Sequence, residues 1–252
     1  LEFRRVLFRS LFLQGSYTWS KTLAYSDDNT YGNALRFNCP PSPAMPEGCL
    51  ELNYGPTSFD RTQMVKAAFV WELPFGSGHA LSSSSRAVNA IIGGWQLNGI
   101  FTAMTGAPLQ IGQSRNGLNT PGTPQNPYVV RQPEYIKEQA SFDAYSGIYW
   151  FNPDAFVPNF TNNEIGNIPR RLSWLRGPGI TQLDASIFRN FRWKERFTLE
   201  VRAEAMNVTN STHFSDPNVT CTVVGNACRG SFGQISRAFG QRIAQLGAVV
   251  RF

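Results

Sequence analysis

Charge, histidine, cysteine and long apolar runs are all scarce in this 252-residue sequence. Only 16% of the residues are charged, against the ~25% usual for soluble domains, while aromatic residues make up 13%. This composition excludes a disordered chain, a coiled coil and a nucleic-acid-binding arm. The lack of an apolar run of ~18 residues excludes a transmembrane helix. Strands in which apolar and polar residues alternate are the other way in which a chain crosses a membrane.

Residues 1–10 (LEFRRVLFRS) stand apart from the rest of the sequence. All ten match one translated frame of the read-two adapter of short-read sequencing libraries, and their apolar stretch is too short for a signal peptide. We therefore predict that 1–10 are not native and that the native chain covers 11–252. Without the three arginines and one glutamate of this segment, the net charge falls from +6 to +4. So weak a basic balance gives no evidence for a nucleic-acid partner.

Apolar and polar residues alternate in six segments, each close to the 9–11 residues with which a tilted strand crosses a bilayer. This period of two predicts strands over 11–20, 63–73, 94–105, 180–190, 197–207 and 241–252. A helix would scatter the same apolar residues around its axis. In the clearest segment, 197–207, every second residue from Phe197 to Ala205 is apolar.

The charged residues of these six segments sort by face. Seven of the nine lie on the polar face: Lys66, Glu72, Asp184, Glu200, Arg202, Glu204 and Arg251. The other two, Arg189 and Arg242, lie at segment ends, where a long side chain reaches the lipid headgroups. A charge at the lipid-facing midplane costs ~2–4 kcal/mol, so the sorting favours lipid on the apolar face.

The connections alternate between long and short, as they do in an outer-membrane barrel with external loops and periplasmic turns. The connections 21–62, 106–179 and 208–240 are long, and 191–196 is short, whereas 74–93 is long for a periplasmic turn. Aromatic residues fall at the strand ends, as membrane-interface belts require. They are Trp71, Trp95, Trp193, Phe197 and Phe252 at the periplasmic end and Tyr17 and Trp19 at the outer end.

The sequence thus predicts an all-β fold: the C-terminal sector, about six antiparallel strands, of a large transmembrane outer-membrane β-barrel with long extracellular loops. Six strands are too few to close a barrel, because single-chain barrels begin at eight and an open edge in lipid leaves backbone groups unpaired. We therefore expect 11–252 to be part of a longer chain.

The cysteines form two local pairs in loops, Cys39 with Cys49 and Cys221 with Cys228. Such pairs indicate disulfides in an oxidising compartment, with four free thiols as the alternative. A zinc site is less favoured, because the C-x₂-C spacing is missing and the chain has two histidines.

Catalytic chemistry finds little support in the sequence. Neither His79 nor His213 has a nucleophile at a suitable spacing. The trio Glu200, Arg202 and Glu204 is more simply a row of charges on one strand face. We predict no enzyme activity, no cofactor and no metal site.

Five stretches of the sequence form a set of motifs: FDRTQMVKAAFVWELPFGSG from Phe59, GGWQLNGIFTAMTGAPL, GPGITQLDASIFRNFRWKERFTLEVRAEAMNVTNSTHFSDPN, FGQI and RIAQLGAVVRF. This set resembles TonB-dependent receptors, and more narrowly the Oar-like subgroup with a carboxypeptidase-regulatory-like domain that is abundant in acidobacteria. The resemblance covers nearly all of 11–252, and its motifs are specific only as a set. The resemblance implies a 22-stranded barrel, a plug domain and a TonB-type energy-coupling protein in the inner membrane that acts through the N-terminal region. The sequence contains neither the plug nor the coupling box.

The last strand and the longest loop hold the candidate binding residues. A terminal Phe252 preceded by Val250, Ala248, Leu246 and Ala244 on one face resembles the signal read by the outer-membrane barrel-assembly machinery, with a chance C-terminal Phe as the alternative. Loop aromatics could stack on a ligand, and those singled out are Tyr145, Tyr149, Trp150, Phe151 and Trp174. The favoured alternative is that these aromatics pack the long loop into a self-supporting cap.

The function predicted from sequence is part of an outer-membrane receptor, in a Gram-negative-type bacterium, for active uptake of a bulky nutrient such as a siderophore, oligosaccharide or peptide. The expected partners are outer-membrane lipid, the assembly machinery, the coupling protein and an unknown small-molecule, glycan or peptide ligand, with no nucleic acid. A non-transporting surface or adhesion barrel is the first alternative. A soluble secreted β-sandwich is the second.

Overall fold

The structure is a computed structural model that describes residues 2–8, 10–26, 35–38, 48–118, 123–136, 139–142, 145–193 and 197–252. One antiparallel sheet of seven strands dominates it, and the strands lie side by side in the order of the chain. They are β1 (Glu2–Phe8), β2 (Leu11–Trp19), β3 (Gln63–Glu72), β4 (Trp95–Met104), β5 (Ile180–Trp193), β6 (Phe197–Met206) and β7 (Ile243–Arg251).

The six predicted strands are confirmed, with bounds that differ by one to three residues. β5 is the longest and continues beyond the predicted 180–190, because Phe191 and Arg192 go on pairing with Leu199 and Thr198 of β6. β1 is an additional strand that pairs with β2 and shifts register between Phe3 and Val6. Because an exposed sheet edge can pair with any extended segment, the pairing of β1 with β2 does not show that residues 1–10 are native. Their non-native origin stays a prediction.

The strand register places every predicted apolar row on the same face of the sheet. One line of paired residues crosses six strands on that face and runs through Leu13, Phe69, Gly99, Ala185, Ala205 and Ala244. Gly99 is needed in this line, because a Cβ there would lie 2.3 Å from Cε1 of Phe69. The ring therefore lies across the backbone of the neighbouring strand, a known way to cover a strand glycine. The alternation along each strand and the pairing between strands thus assign the same residues to the apolar face.

In the described ranges, helices are few and short. They are α1 (Leu50–Asn53), α2 (Arg86–Ile92) and a 3₁₀ turn at Pro153–Ala155. Among the described residues, no helix has the length and apolar character to span a membrane.

Five connections join strands β2 to β7. We call them loop 1 (20–62), turn 1 (73–94), loop 2 (105–179), turn 2 (194–196) and loop 3 (207–242), and the three loops leave the sheet at one end while the two turns leave it at the other. The loops contain short strands, which pair as Leu23–Ala24 with Gly55–Pro56, Tyr128–Val129 with Phe156–Val157, Gln139–Phe142 with Tyr145–Tyr149, Tyr145–Tyr149 with Gln234–Ile235, and His213–Phe214 with Ala238–Phe239. Gly112–Gln113 of loop 2 also runs parallel to Thr220–Val224 of loop 3, which pairs in turn with Ala227–Arg229.

The hydrophobic core lies in the loops. Within the described residues, every buried apolar side chain belongs to loop 1, 2 or 3, and none belongs to the main sheet. The sheet is therefore a single layer, and no second sheet packs on its apolar face in the described part of the chain. A soluble β-sandwich needs such a second layer, so the structure does not support that alternative.

Candidate functional sites

The apolar face of the sheet is exposed along its length. Leu246 has 87% of its surface accessible, and Leu13, Leu199 and Val250 are also exposed. A soluble protein avoids a contiguous apolar surface of this kind unless a partner covers it. The hydrocarbon interior of a bilayer is an apolar medium that can cover this face.

In β2 to β7, the opposite face carries every charged residue except Arg189. Asp184 accepts hydrogen bonds from Gln182 Nε2 at 2.8 Å and from the backbone N–H of Asn207 at 2.8 Å. Arg251 lies 3.2 Å from Glu200 on the adjacent strand. Exposed pairs of this kind add little stability, but they keep this face hydrated. It is the face that a barrel turns towards its lumen.

The three loops fold together into one unit, the loop cap, in which loops 2 and 3 enclose a buried aromatic triad. The rings of Phe151, Phe156 and Phe232 meet edge to face, with centroids 5.2–5.6 Å apart. Loops 2 and 3 are also joined through their backbones, because Trp150 N–H donates to Gly233 O at 2.8 Å and Gly112 N–H donates to Val219 O at 3.0 Å. The cap therefore has the interior of a small soluble domain.

A buried ion pair joins loop 1 to loop 2 at the base of the cap. Asp60 Oδ2 lies 2.5 Å from Arg176 Nη2, and the Asp60 side chain is fully inaccessible. The other carboxylate oxygen accepts the backbone N–H of Thr22 at 2.7 Å. Arg176 also donates from Nη1 to the carbonyl oxygen of Gly106 at 3.2 Å. These contacts hold the loops together where they leave the strands.

Buried amides and a second arginine fix the backbone higher in the cap. Asn53 accepts the N–H of Phe37 at 2.9 Å and donates to Phe37 O at 3.0 Å. Arg170 donates to Asn53 O at 3.1 Å and to Ala24 O at 2.8 Å. Nothing in the sequence pattern marks these residues, because their partners lie up to 146 positions away. An excess of Asn and Gln in loops was the only available indication.

Burial in the cap shifts the pKa of three groups. The pKa of Arg36 falls to about 10, first because it is buried and then because Arg171 and Arg170 lie near. Burial raises the pKa of the Asp216 carboxyl, and nearby Arg61 partly opposes this rise. The pKa of the Tyr128 hydroxyl is raised by burial and by its hydrogen bond to Glu164.

The predicted cysteine pair in loop 3 forms a disulfide. Cys221 and Cys228 are joined with Cα atoms 4.9 Å apart and close the hairpin between Thr220–Val224 and Ala227–Arg229. Cys49 is buried and disulfide-bonded. Its predicted partner Cys39 lies outside the described residues.

Two of the loop aromatics singled out as ligand contacts are not available at the surface. Phe151 is fully buried in the aromatic triad, where it acts as a core residue, and Tyr149 is buried as well. Trp150 is half-buried and donates its indole N–H to Arg176 O at 2.6 Å. Trp174 is exposed, and the side chain of Tyr145 lies outside the described residues. The alternative of a packed cap accounts better for this loop.

Exposed aromatic residues occur elsewhere on the cap. Tyr25 and Tyr54 of loop 1 pack with ring centroids 5.0 Å apart and are both exposed. Tyr135 is exposed as well, and its hydroxyl donates to Trp174 O at 3.1 Å. No alternation or motif in the sequence singles out Tyr25 and Tyr54.

The C-terminal strand β7 forms one edge of the sheet. Its predicted signal residues Ala244, Leu246, Ala248 and Val250 share the apolar face, and Phe252 follows the strand with 96% of its surface exposed. Among the described residues β7 pairs only with β6. In the described part of the chain, the outer edge of β7 is therefore a row of unpaired backbone groups beside an apolar row of side chains.

Neither histidine is part of a catalytic arrangement in the described structure. His213 is buried, with Nε2 3.1 Å from Thr181 O and its ring edge-on to Phe239. His79 is exposed. Within the described ranges, no three His, Cys, Asp or Glu side chains lie together in a way that could hold a metal ion.

Comparison with known proteins agrees with the sheet geometry. A family model described as an outer membrane beta barrel domain matches residues 1–245. No curated protein and no solved structure gives a significant match. The match also indicates, at a general level, an outer-membrane location. The chain belongs to the outer membrane beta barrel domain family.

Proposed function

We propose that this chain contributes to a TonB-dependent outer-membrane receptor that takes up a bulky nutrient. The observation that carries the proposal is the loop cap, which has a buried core and a buried ion pair at the mouth of the sheet. A passive diffusion pore needs an open mouth, whereas a folded cap suits a receptor that opens under control. The sequence resemblance to TonB-dependent receptors supports the same function.

The inner side of the cap reaches the polar face of the sheet. A cavity of about 230 Å³ lies there, lined by Met104 and Ile180 of the sheet and by Arg61, Phe214 and Asp216 of the loops. A ligand released from the cap into the lumen would meet this mixed polar and aromatic lining. No catalytic step is part of the proposal.

Uptake measurements test the proposal. The full-length protein that contains this chain, produced in outer membranes, would be offered labelled ferric siderophores, oligosaccharides and peptides in cells with and without the energy-coupling protein. We expect one class to accumulate only in energised cells that contain the coupling protein. Accumulation that does not depend on the coupling protein would contradict the proposal.

A non-transporting surface barrel is the second candidate, and the exposed aromatic pair Tyr25 and Tyr54 favours it. Such rings can stack on a glycan or another cell surface without any transport. In that case the same assay would show binding at the cell surface without accumulation, and replacing both tyrosines with serine would abolish the binding.

We further propose that β7 is recognised by the barrel-assembly machinery. An exposed edge strand binds a partner by adding its backbone to another sheet, while alternate side chains give specificity. Phe252 is almost fully exposed and supports no packing in the described structure. Its deletion from the full-length protein should lower the amount of that protein in the outer membrane without changing its synthesis. Quantitative immunoblots of membrane fractions would measure this. An unchanged outer-membrane level would rule out a role for Phe252 in recognition.

A further inference from the structure

Turn 1 contains the helix α2, which presents apolar side chains to the outside. Val88 and Ile91 lie one turn apart on one helix face and have 42% and 68% of their surface exposed. Leu81, earlier in the turn, is exposed as well. Removing such side chains from water is favourable, so we expect an apolar medium to cover this helix face.

Contacts with the sheet place α2 on the lipid-facing side. Arg189 belongs to the apolar row of β5, and its guanidinium donates to the carbonyl oxygens of Ala90 and Ile91 at the end of the helix. Trp95, on the apolar row of β4, donates its indole N–H to Ile91 O at 3.0 Å. Both donors lie on the face that carries Leu246 and the other exposed apolar residues. The helix therefore lies at the turn end of the sheet, continuous with its lipid-facing surface.

The same contacts explain how an arginine is tolerated on the apolar row. The positive charge of Arg189 meets the negative end of the helix dipole, and its guanidinium stacks 4.3 Å from the centroid of Phe191. Ser85 accepts the N–H of Val88 at the other end of the helix. A seven-residue helix is marginal in isolation, and here both of its ends are capped.

The charge of turn 1 points to an anionic surface. Residues 73–94 contain Arg86 and no acidic residue. Arg86 lies in the first turn of α2, where a cation is unfavourable for the helix dipole. Helix stability therefore does not explain its position, but attraction to lipid phosphates does.

We infer that α2 is an interfacial helix that inserts Val88 and Ile91 at the boundary between headgroups and acyl chains of the periplasmic phospholipid leaflet, with Arg86 on the phosphates. Amphipathic helices with an apolar face and basic residues on the polar face lie in the plane of the membrane interface. The inference does not depend on whether the barrel transports a nutrient. It also explains why 74–93 is longer than a periplasmic turn needs to be.

Lipid quenching tests this inference directly. Ile91→Cys would be labelled with the fluorophore NBD, and the protein reconstituted into phosphatidylethanolamine/phosphatidylglycerol vesicles that contain lipids with a nitroxide near the headgroup. Leu246→Cys and Gln245→Cys are matched controls, because these neighbouring residues lie on the lipid-facing and lumen-facing rows of one strand. Because the nitroxide lies at the headgroup depth proposed for Ile91, whereas Leu246 lies near the middle of its strand, we expect quenching at Ile91 at least as strong as at Leu246 and at least ~3-fold stronger than at Gln245.

The opposite results would overturn the inference. A label at Ile91 that emits as in water and is quenched no more than at Gln245 would show that lipid does not cover α2. Emission that depends on protein concentration would indicate a second copy of the chain instead of lipid, and would overturn it as well. Val88→Cys, on the same helix face, repeats the measurement if the Ile91 variant does not fold.

Discussion

Replacement of Asp60 by asparagine should loosen the loop cap at its base. The change keeps the shape of the side chain and leaves an oxygen to accept the N–H of Thr22, which lies 2.7 Å away. It removes the charge that faces Arg176 at 2.5 Å. The lost interaction is therefore that between the two charges, with little change in packing.

The expected magnitude follows from burial. Breaking a fully buried ion pair costs about 3–5 kcal/mol. The Arg176 side chain is 19% exposed and keeps the carbonyl of Gly106 as an acceptor, so water and this carbonyl compensate in part. We expect a loss of about 2–3 kcal/mol in the free energy of cap opening. Because ~1.4 kcal/mol is tenfold, amide hydrogen exchange in the cap should become roughly 30- to 150-fold faster.

The assay is hydrogen exchange with mass spectrometry on the protein in detergent micelles, with peptides from 105–118 and 170–179. The matched control is Asp154→Asn, which breaks the pair with Arg229 in the same cap. That pair is also close, at 2.7 Å, but its side chains are 57% and 48% exposed, so the loss should stay below about 1 kcal/mol. The reasoning is refuted if both variants change exchange equally, or if Asp60→Asn changes it less than the control does.

Three further perturbations separate the sheet from the cap. Ala203→Lys places a charge on the lipid-facing row and should destabilise the folded barrel by about 2–4 kcal/mol, whereas Glu204→Lys at the adjacent lumen-facing position should destabilise it much less. Equal losses of stability in urea titrations of the two variants in lipid vesicles would argue against lipid on the apolar face. Replacing Cys221 and Cys228 by serine should lower the free energy of cap opening by roughly 2.5 kcal/mol, the value for so short a cross-linked loop, and unchanged exchange in 219–232 would contradict this. Burial raises the pKa of Asp216, so the contribution of this carboxyl group to stability is full below the ordinary carboxyl pKa and is lost as the pH rises through the raised value. Asp216→Asn should therefore be more stable than the wild type at neutral pH, by a margin that disappears in acid. A variant that is less stable than the wild type at neutral pH would refute the argument.

The sheet was predictable from the sequence because a strand in lipid obeys a local rule. Each lipid-facing position must be apolar whatever its neighbours are, so alternation alone located β2 to β7 to within one to three residues. The extension of β5 to Trp193 was missed because Arg189 interrupts the apolar row. In the structure Arg189 is held by the carbonyls of α2, so the interruption and the unexpected helix have one explanation. A Ser85 N-cap followed by Val88 and Ile91 at helical spacing was the available indication of α2.

The cap could not be predicted in detail because its contacts are non-local. Asp60 and Arg176 are 116 positions apart, and no period in the sequence connects them. The aromatic content of 106–179 indicated that a packed cap was possible, but which rings face inward depends on loop 3, which supplies Phe232. Composition therefore suggested that a core exists, while the assignment of Phe151 to that core needed the fold.

The two halves of the molecule follow opposite rules for the same amino acids, and this determines how substitutions should be interpreted. In the cap, an apolar residue such as Phe232 is buried from water, and its truncation leaves a cavity with a large cost. On the sheet, Leu246 is exposed, and its truncation removes no protein contact of comparable size. A lysine is tolerated at an exposed cap position and costly at Ala203, because the medium that the position faces differs. The same exposed fraction therefore predicts opposite effects of a substitution in the cap and on the lipid-facing row of the sheet. To predict the effect of a substitution on the sheet, one must first know to which row the residue belongs.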